Sequence, residues 1–273
     1  MKRFIIEAGR SVPAGTCLLL KLATLLALTC ATALAASSNA IKYKGAGIWL
    51  SDESNRLLSK PREEELLQSL RQITGLSELR FMDNGSLNLG DTSNKNDGSL
   101  AARRILLRAL ESGYVFIVED HSDSPDVNFG QMDEGTRYED LQSQHRSLIW
   151  RVRLDFVDFR KMAASREVRE SFSVGFTLLH ELLHGLGHKD ARQIQELGEC
   201  EELINQARLE LKLPTRDQYF GVQLKITENF FTVRLRFRNH ARQRNEYVYF
   251  IAPPGSKVVE LTEAVVSVQR QSK

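Results

Sequence analysis

A chain of 273 residues with 42% hydrophobic and 26% charged residues carries enough apolar material for one substantial core or two small ones, which excludes disorder as its default state. The formal charge of +2 comes from the N-terminus, where the first 35 residues hold Lys2, Arg3, Arg10 and Lys21 against Glu7; the remainder balances 33 basic against 34 acidic residues. So even a balance gives no bulk attraction to nucleic acid or anionic lipid, and no nucleic-acid partner is expected.

The chain opens as a targeting segment. Basic residues precede an apolar stretch from Leu22 to Ala35, and Ala33-Leu34-Ala35, or Ser38-Asn39-Ala40 further on, offers small residues for cleavage. The expectation is a signal peptide over 1–35 and an exported protein, periplasmic or secreted, with no stable membrane span in the mature chain. Lys21 interrupts the Cys17 to Ala36 stretch, so its uncharged part is too short for an ordinary spanning helix. Cys17 and Cys30 fall in this segment, which leaves Cys200 alone and no intrachain disulfide; the fold must rest on its core, a metal, or both. Cys200 itself reads as an inert, partly buried thiol.

Beyond it, Pro61 to Gln72 predicts a helix with proline near its start. The Gly-, Asn-, Ser- and Asp-rich stretches 83–98 and 121–135 read as loops. Between them the pattern predicts a helix over Ser99 to Glu111 and a strand over Tyr114 to Glu119. From Ser147, Trp150, Val152, Leu154 and Phe156 alternate with Arg151, Arg153 and Asp155, which predicts a half-buried strand over 147–159. Ser165 then caps a helix to about Leu186 whose apolar residues cover all sides of the cylinder, the signature of a buried helix. Ala191 to Leu213 reads as helical, broken near Gly198 and ended by Pro214. Last, Phe231, Val233, Leu235 and Phe237 alternate with Thr232, Arg234, Arg236 and Arg238, and Glu246 to Ala252 supplies a partner strand. The arginine side of that pair reads as a solvated sheet face.

Within the buried helix stands His180-Glu181-Leu182-Leu183-His184. Histidines at i and i+4 share one helix face, so their imidazoles can converge on one metal ion, while the carboxylate of Glu181 points to a neighbouring sector where it can reach a metal-bound water. A structural reading exists, in which the helix merely buries satisfied histidines. Against it, three of the six histidines (His180, His184 and His188) crowd together, and an unpaired Glu and two His in the most apolar helix would cost several kcal/mol, on the order of 2–7 for each uncompensated polar group. Gly185 and Gly187 follow at once and permit a sharp turn.

His180-Glu181-x-x-His184-x-x-Gly187-x-x-Asp190 resembles the extended zinc signature of the metzincin peptidases, in the form where Asp replaces the third histidine, as in the snapalysin group. That resemblance implies a zincin-like domain of α+β class, with a buried metal-binding helix packed on a mixed sheet and a β-rich C-terminal region. It also implies zinc held by His180, His184 and Asp190, Glu181 as general base, and the strand at 147–159 as the substrate-lining edge. The chain departs from the pattern in one respect: Met1, Met82, Met132 and Met162 all precede the motif, so no methionine turn follows it. A gluzincin-like arrangement, with Glu201 or Glu202 as third ligand, therefore stands beside Asp190, and His188 behind both. The stretch Leu211 to Gly221 is similar, over a short span, to a segment downstream of the zinc helix in some bacterial effector metallopeptidases.

The expected function is a zinc-dependent metallopeptidase acting on a peptide or protein substrate, with domains at 1–35 (signal), 36–110 (propeptide or upper part of the catalytic domain), 111–221 (zinc-binding catalytic region) and 222–273 (β-rich). Tyr219, Tyr247, Tyr249 and His240 are downstream groups that could stabilise an oxyanion, and none is assigned that role. Two rivals stay open: an exported binding domain with a structural zinc, and a zinc hydrolase of a non-peptide amide. Oligomeric state is not legible.

Overall fold

A computed structural model describes residues 46–92, 98–139, 146–193, 196–225 and 231–252. The expected signal peptide with its cleavage sites and Cys17 and Cys30 lies outside the described residues. These belong to a single compact unit that begins at Gly45. No helix among them is long and apolar enough to cross a membrane.

The α+β expectation holds, with one mixed sheet and two antiparallel ones. In the first sheet β1 (Gly47–Leu50), β4 (Val115–Asp120) and β6 (Arg146–Leu154) run parallel, and β5 (Gly130–Glu139) closes one edge antiparallel to β6. All four residues of β1 and the first five of β4 are buried, as expected of strands covered on both faces. The two-residue strands β2 (Arg80–Phe81) and β3 (Leu87–Asn88) form a small ribbon. Helix α1 (Lys60–Thr74) has Pro61 in its first turn and ends at Gly75, whose left-handed conformation (φ 71°) returns its N–H to the Arg71 carbonyl. Helix α2 (Leu100–Glu111) is capped by Ser99, whose hydroxyl accepts from the Ala102 N–H. Both present buried leucine and isoleucine, and α2 also alanine, to α5 (Val174–Gly185), the helix that carries the histidines.

Several local expectations are corrected, beginning with the expected loop 83–98, which contains β3. The predicted loop 121–135 is a strand from Gly130 onward; an edge strand pairs on one side only, so it tolerates the Gly and Asp that suggest a loop, and β5 also bulges between Asp133 and Thr136. The strand predicted over 147–159 ends at Leu154, because the Asp155 carboxylate accepts the N–H groups of Val157 and Asp158 and starts α3 (Phe156–Lys161). It is also an interior strand, so the sheet edge is β5.

The single helix expected over 165–186 is two. Ser165 caps α4 (Arg166–Ser171) as read, but Phe172 leaves helical geometry to join an aromatic cluster with Phe129 and Phe159, and the Ser173 hydroxyl bonds to that of Ser69 on α1 (3.0 Å). Chain direction thus changes before α5 begins. The helical reading of Ala191 to Leu213 holds only for α6 (Glu199–Glu210). Gly198 precedes it at φ 78° and pairs as an isolated bridge with Asp190.

In the third sheet β9 (Phe231–Asn239) pairs with β10 (Arg244–Ala252) on one side and with β7 (Thr215–Arg216) and β8 (Val222–Lys225) on the other. Val233, Leu235, Phe237 and Val248 are buried, while Arg234, Arg236 and Arg238 lie half-buried on the alternate face, as the alternation requires.

One acid in this scaffold is tuned by its surroundings. Burial, and then the charge of Asp155, push the Asp158 carboxyl up to about 6, although it accepts the Phe129 N–H (3.2 Å). The folded protein therefore holds a proton that the unfolded chain gives up near pH 4, so this group's contribution to stability is present below about pH 4 and lost as pH rises through about 6. In denaturant unfolding, Asp158→Asn should gain on the parent as pH rises from about 4 to about 7; a stability difference independent of pH over that window would contradict this.

Candidate metal centre

Helix α5 ends in a Schellman motif. The His188 N–H bonds the Leu183 carbonyl (3.0 Å) and the Gly187 N–H bonds the His184 carbonyl (2.9 Å), with Gly187 at φ 93°. A side chain at position 187 would be strained there. The turn sends the chain back along the helix end, so that Asp190 faces both histidines. Gly198 fixes the return: a Cβ at that position would lie 2.2 Å from the Ala191 nitrogen, so only glycine lets the bridge to Asp190 close.

The two carboxylate oxygens of Asp190 are divided between the imidazoles. Oδ1 lies 3.1 Å from His180 Nε2, and Oδ2 lies 3.2 Å from His184 Nε2. Atoms sharing one tetrahedral zinc at its usual bond lengths stand about 3.3 Å apart. The His184 Nδ1–H donates to the His188 carbonyl (3.2 Å), which leaves the Nε2 lone pair aimed at Asp190. Meanwhile Oδ1 is buried and accepts no hydrogen bond of good geometry. Lone pairs facing each other at contact distance repel unless a cation lies among them, and that cation can be a proton or a metal ion. His180, His184, Asp190 and Cys200 form a group that could hold a metal ion, their donor atoms all within 4.8 Å of one another.

The electrostatics agree. Burial disfavours a charge on His184, but hydrogen bonds to Asp190 and Cys200 and the charge of Asp190 outweigh it and raise its pKa to about 11. Burial also works against the Asp190 carboxylate, yet His180, His184 and the Tyr219 hydroxyl hold its pKa far below the ordinary range. An ionised Asp190 thus favours a cation at the point where the imidazoles meet it.

Each expected residue has a definite place. Glu181 is buried beside the pair; desolvation raises its pKa, partly offset by the histidines and by the backbone N–H of Met132 on β5, which donates to its carboxylate. Edge strand and helix meet closely here, since a Cβ on Gly130 would lie 2.4 Å from Thr177 Cγ2. Glu201 is buried but committed elsewhere: it pairs with Arg208 and with Arg216 (3.4 Å), and its Oε2 stands 3.6 Å from His180 Nδ1, the nitrogen away from Asp190. Its pKa falls to about 2: burial opposes ionisation, and the two arginines outweigh it. Glu201 thus braces His180 from behind. Glu202 is exposed, and His188 contributes its carbonyl while its ring turns to Glu199 (Nδ1 to Oε2, 3.5 Å).

Two neighbours carry more than the sequence reading gave them. Cys200 Sγ lies 3.6 Å from His184 Nδ1, and burial raises its pKa and favours the thiol. The two nitrogens of an imidazole diverge, so Asp190 and Cys200 approach His184 from different sides. Tyr219 donates its hydroxyl to Asp190 Oδ2 and stacks on His180, the ring centroids 6.0 Å apart and 14° from parallel. Arg216 holds it there, lying over the Tyr219 ring and donating to the Gln218 and Tyr219 carbonyls. The other downstream candidates stand apart: Tyr247 and Tyr249 lean on each other on β10, and the His240 ring bonds Thr215.

Two cavities open at the cluster. One of about 240 Å³ adjoins His180, and one of about 380 Å³ adjoins His184 and Asp190; Gly130, Glu181 and Tyr219 line both. No known protein family, curated protein or solved structure matches this chain.

Among Asp190→Ala, Glu202→Ala and His188→Ala, titration with divalent metal ions should show loss of binding for Asp190→Ala alone, since the other two leave every facing donor in place. Retention of parental affinity by Asp190→Ala would contradict the geometry. Gly198→Ala should weaken metal binding by about 10–100-fold, the range seen when the support of a ligand is removed, with the fold checked by circular dichroism; unchanged affinity would mean that the bridge does not position Asp190.

Proposed function

We propose that the protein is an exported zinc-dependent metallopeptidase of zincin-like architecture. The observation that carries the reading is the convergence of two Nε2 atoms, one helical turn apart, on the two oxygens of a single carboxylate, one of them buried without a hydrogen bond. A motif helix packed against a mixed sheet with one antiparallel edge strand supports the same architecture. Zinc held by His180, His184 and Asp190 would supply a Lewis acid and a water made acidic at the remaining position.

The chain's own residues provide the rest. Glu181, set in the wall shared by both cavities and with its proton affinity raised by burial, accepts the proton of the attacking water and delivers it to the leaving amine. Tyr219, which lines both cavities, can donate its hydroxyl to a developing oxyanion once it swings from Asp190. An extended peptide would align with the free edge of β5 by strand addition.

A second reading is favoured by Cys200: were its sulfur a fourth ligand, the site would be closed and structural. Cys200→Ser separates the two. The peptidase reading expects the variant to keep its zinc and fold, because the sulfur approaches the nitrogen of His184 that Asp190 does not face; loss of zinc together with unfolding would favour the structural site. For the chemistry, Glu181→Gln should retain zinc, measured by elemental analysis, and lose about 10²–10⁴-fold in peptide hydrolysis. A zinc-loaded Glu181→Gln variant as fast as the parent would overturn the mechanism.

A further inference from the structure

The cavity beside His180 is walled by two parts of the chain that are distant in sequence. Phe172 and Phe176 come from the break before α5 and from α5 itself, while Val233, Leu235 and Phe250 come from β9 and β10 of the C-terminal sheet. Val233 and Leu235 are on the buried face of that sheet, and Phe250 packs edge-on against Phe129 (4.7 Å between centroids). Gly221 lets β8 close over them, since a Cβ there would meet Val233 at 2.3 Å.

Size and charge narrow what can enter. A volume of about 240 Å³ is below the ~300–1,000 Å³ of sites that hold whole small ligands, so it suits one side chain of a longer molecule. Of the charged residues that line it, Arg208 and Arg216 already pair with Glu201, and Glu181 and His180 are committed to the water and the metal ion in the proposed mechanism. A charged side chain entering would lose its hydration without gaining a free partner, whereas an apolar one meets aromatic and aliphatic walls.

We infer that the C-terminal sheet is the specificity wall of the enzyme, and that the substrates are polypeptides with a large uncharged apolar side chain, benzyl or branched aliphatic, at one fixed position next to the cleaved bond. This rests on the peptidase reading, and it assigns Val233, Leu235 and Phe250 as specificity-determining residues. A substrate strand laid along β5 would pass Gly130, which lines this cavity and Glu181 alike, so one side chain drops between α5 and β9 while its own backbone carbonyl stays near the histidines.

Two measurements test it, and they fail separately. The zinc-loaded protein is first given a peptide library, with cleavage sites read by mass spectrometry. The expected result is one flanking position rich in Phe, Leu and Met and poor in Asp, Glu, Lys and Arg, with kcat/KM for a Phe peptide at least about a hundredfold above its Ala counterpart, since a single methylene in an apolar pocket is worth about 10–200-fold. Val233→Phe should cut that ratio at least tenfold, and Phe250→Ala should shift the preference toward Trp; cleavage without such a position, or a preference unmoved by both variants, overturns the inference. Independently of catalysis, toluene at millimolar concentration should shift the methyl NMR signals of Val233 and Leu235 saturably in the parent and in Glu181→Gln, and should leave those of Leu235 unmoved in Val233→Phe. Methyl signals indifferent to toluene would overturn the pocket whether or not the protein cleaves peptides. Toluene binding without any peptide cleavage would overturn the assignment of polypeptide substrates through the peptidase reading itself.

Discussion

The structure turns on a single electrostatic constraint: two imidazoles one turn apart in an apolar helix, opposed by one carboxylate that the following turn swings back against them. Left without a cation, the three groups would place lone pairs against one another in a partly desolvated pocket. Everything nearby serves to hold that confrontation. The Schellman turn at Gly187 reverses the chain, Gly198 locks Asp190 in place, the His188 carbonyl fixes the orientation of His184, and Glu201 stands behind His180. The buried Glu201 is in turn neutralised by Arg208, whose guanidinium lies over Phe176 and Phe237 and so ties the centre to the C-terminal sheet.

That dependence runs through the packing as well. Helix α5 can approach α1 and the mixed sheet closely only because Gly175 meets Ser69 and Gly185 meets Phe116, where a Cβ would fall 2.5 and 2.4 Å from the nearest atom. These two glycines set the helix at the depth at which its histidines reach the cleft, and Gly130 lets the edge strand β5 lie beside Glu181.

Much of the site could be read from residues alone, for a physical reason: i, i+4 spacing on a helix fixes relative geometry without any knowledge of the fold. His180, Glu181 and His184 followed from that spacing, and the alternating patterns of β9 and β10 likewise needed only a period of two. What failed was what depends on partners remote in sequence. Gly130 and Asp133 sit in a strand, not a loop, because an edge position forgives them, and Phe172 breaks a helix because aromatic neighbours from 129 and 159 draw it away. Whether Asp190 or Glu201 faces the histidines likewise depends on tertiary contacts, since it is Arg208 and Arg216 that claim Glu201. Cys200 gave no signal of its own; its proximity to His184 exists only once α6 packs on α5.

The claim that most of this rests on is an ion held by two nitrogens and a carboxylate oxygen, with one position left to solvent. X-ray absorption at the zinc edge of the purified, zinc-loaded protein tests it directly. The account predicts only nitrogen and oxygen scatterers at about 2.0–2.2 Å, including two imidazoles; a sulfur scatterer at about 2.3 Å, or no specifically bound zinc, would contradict it.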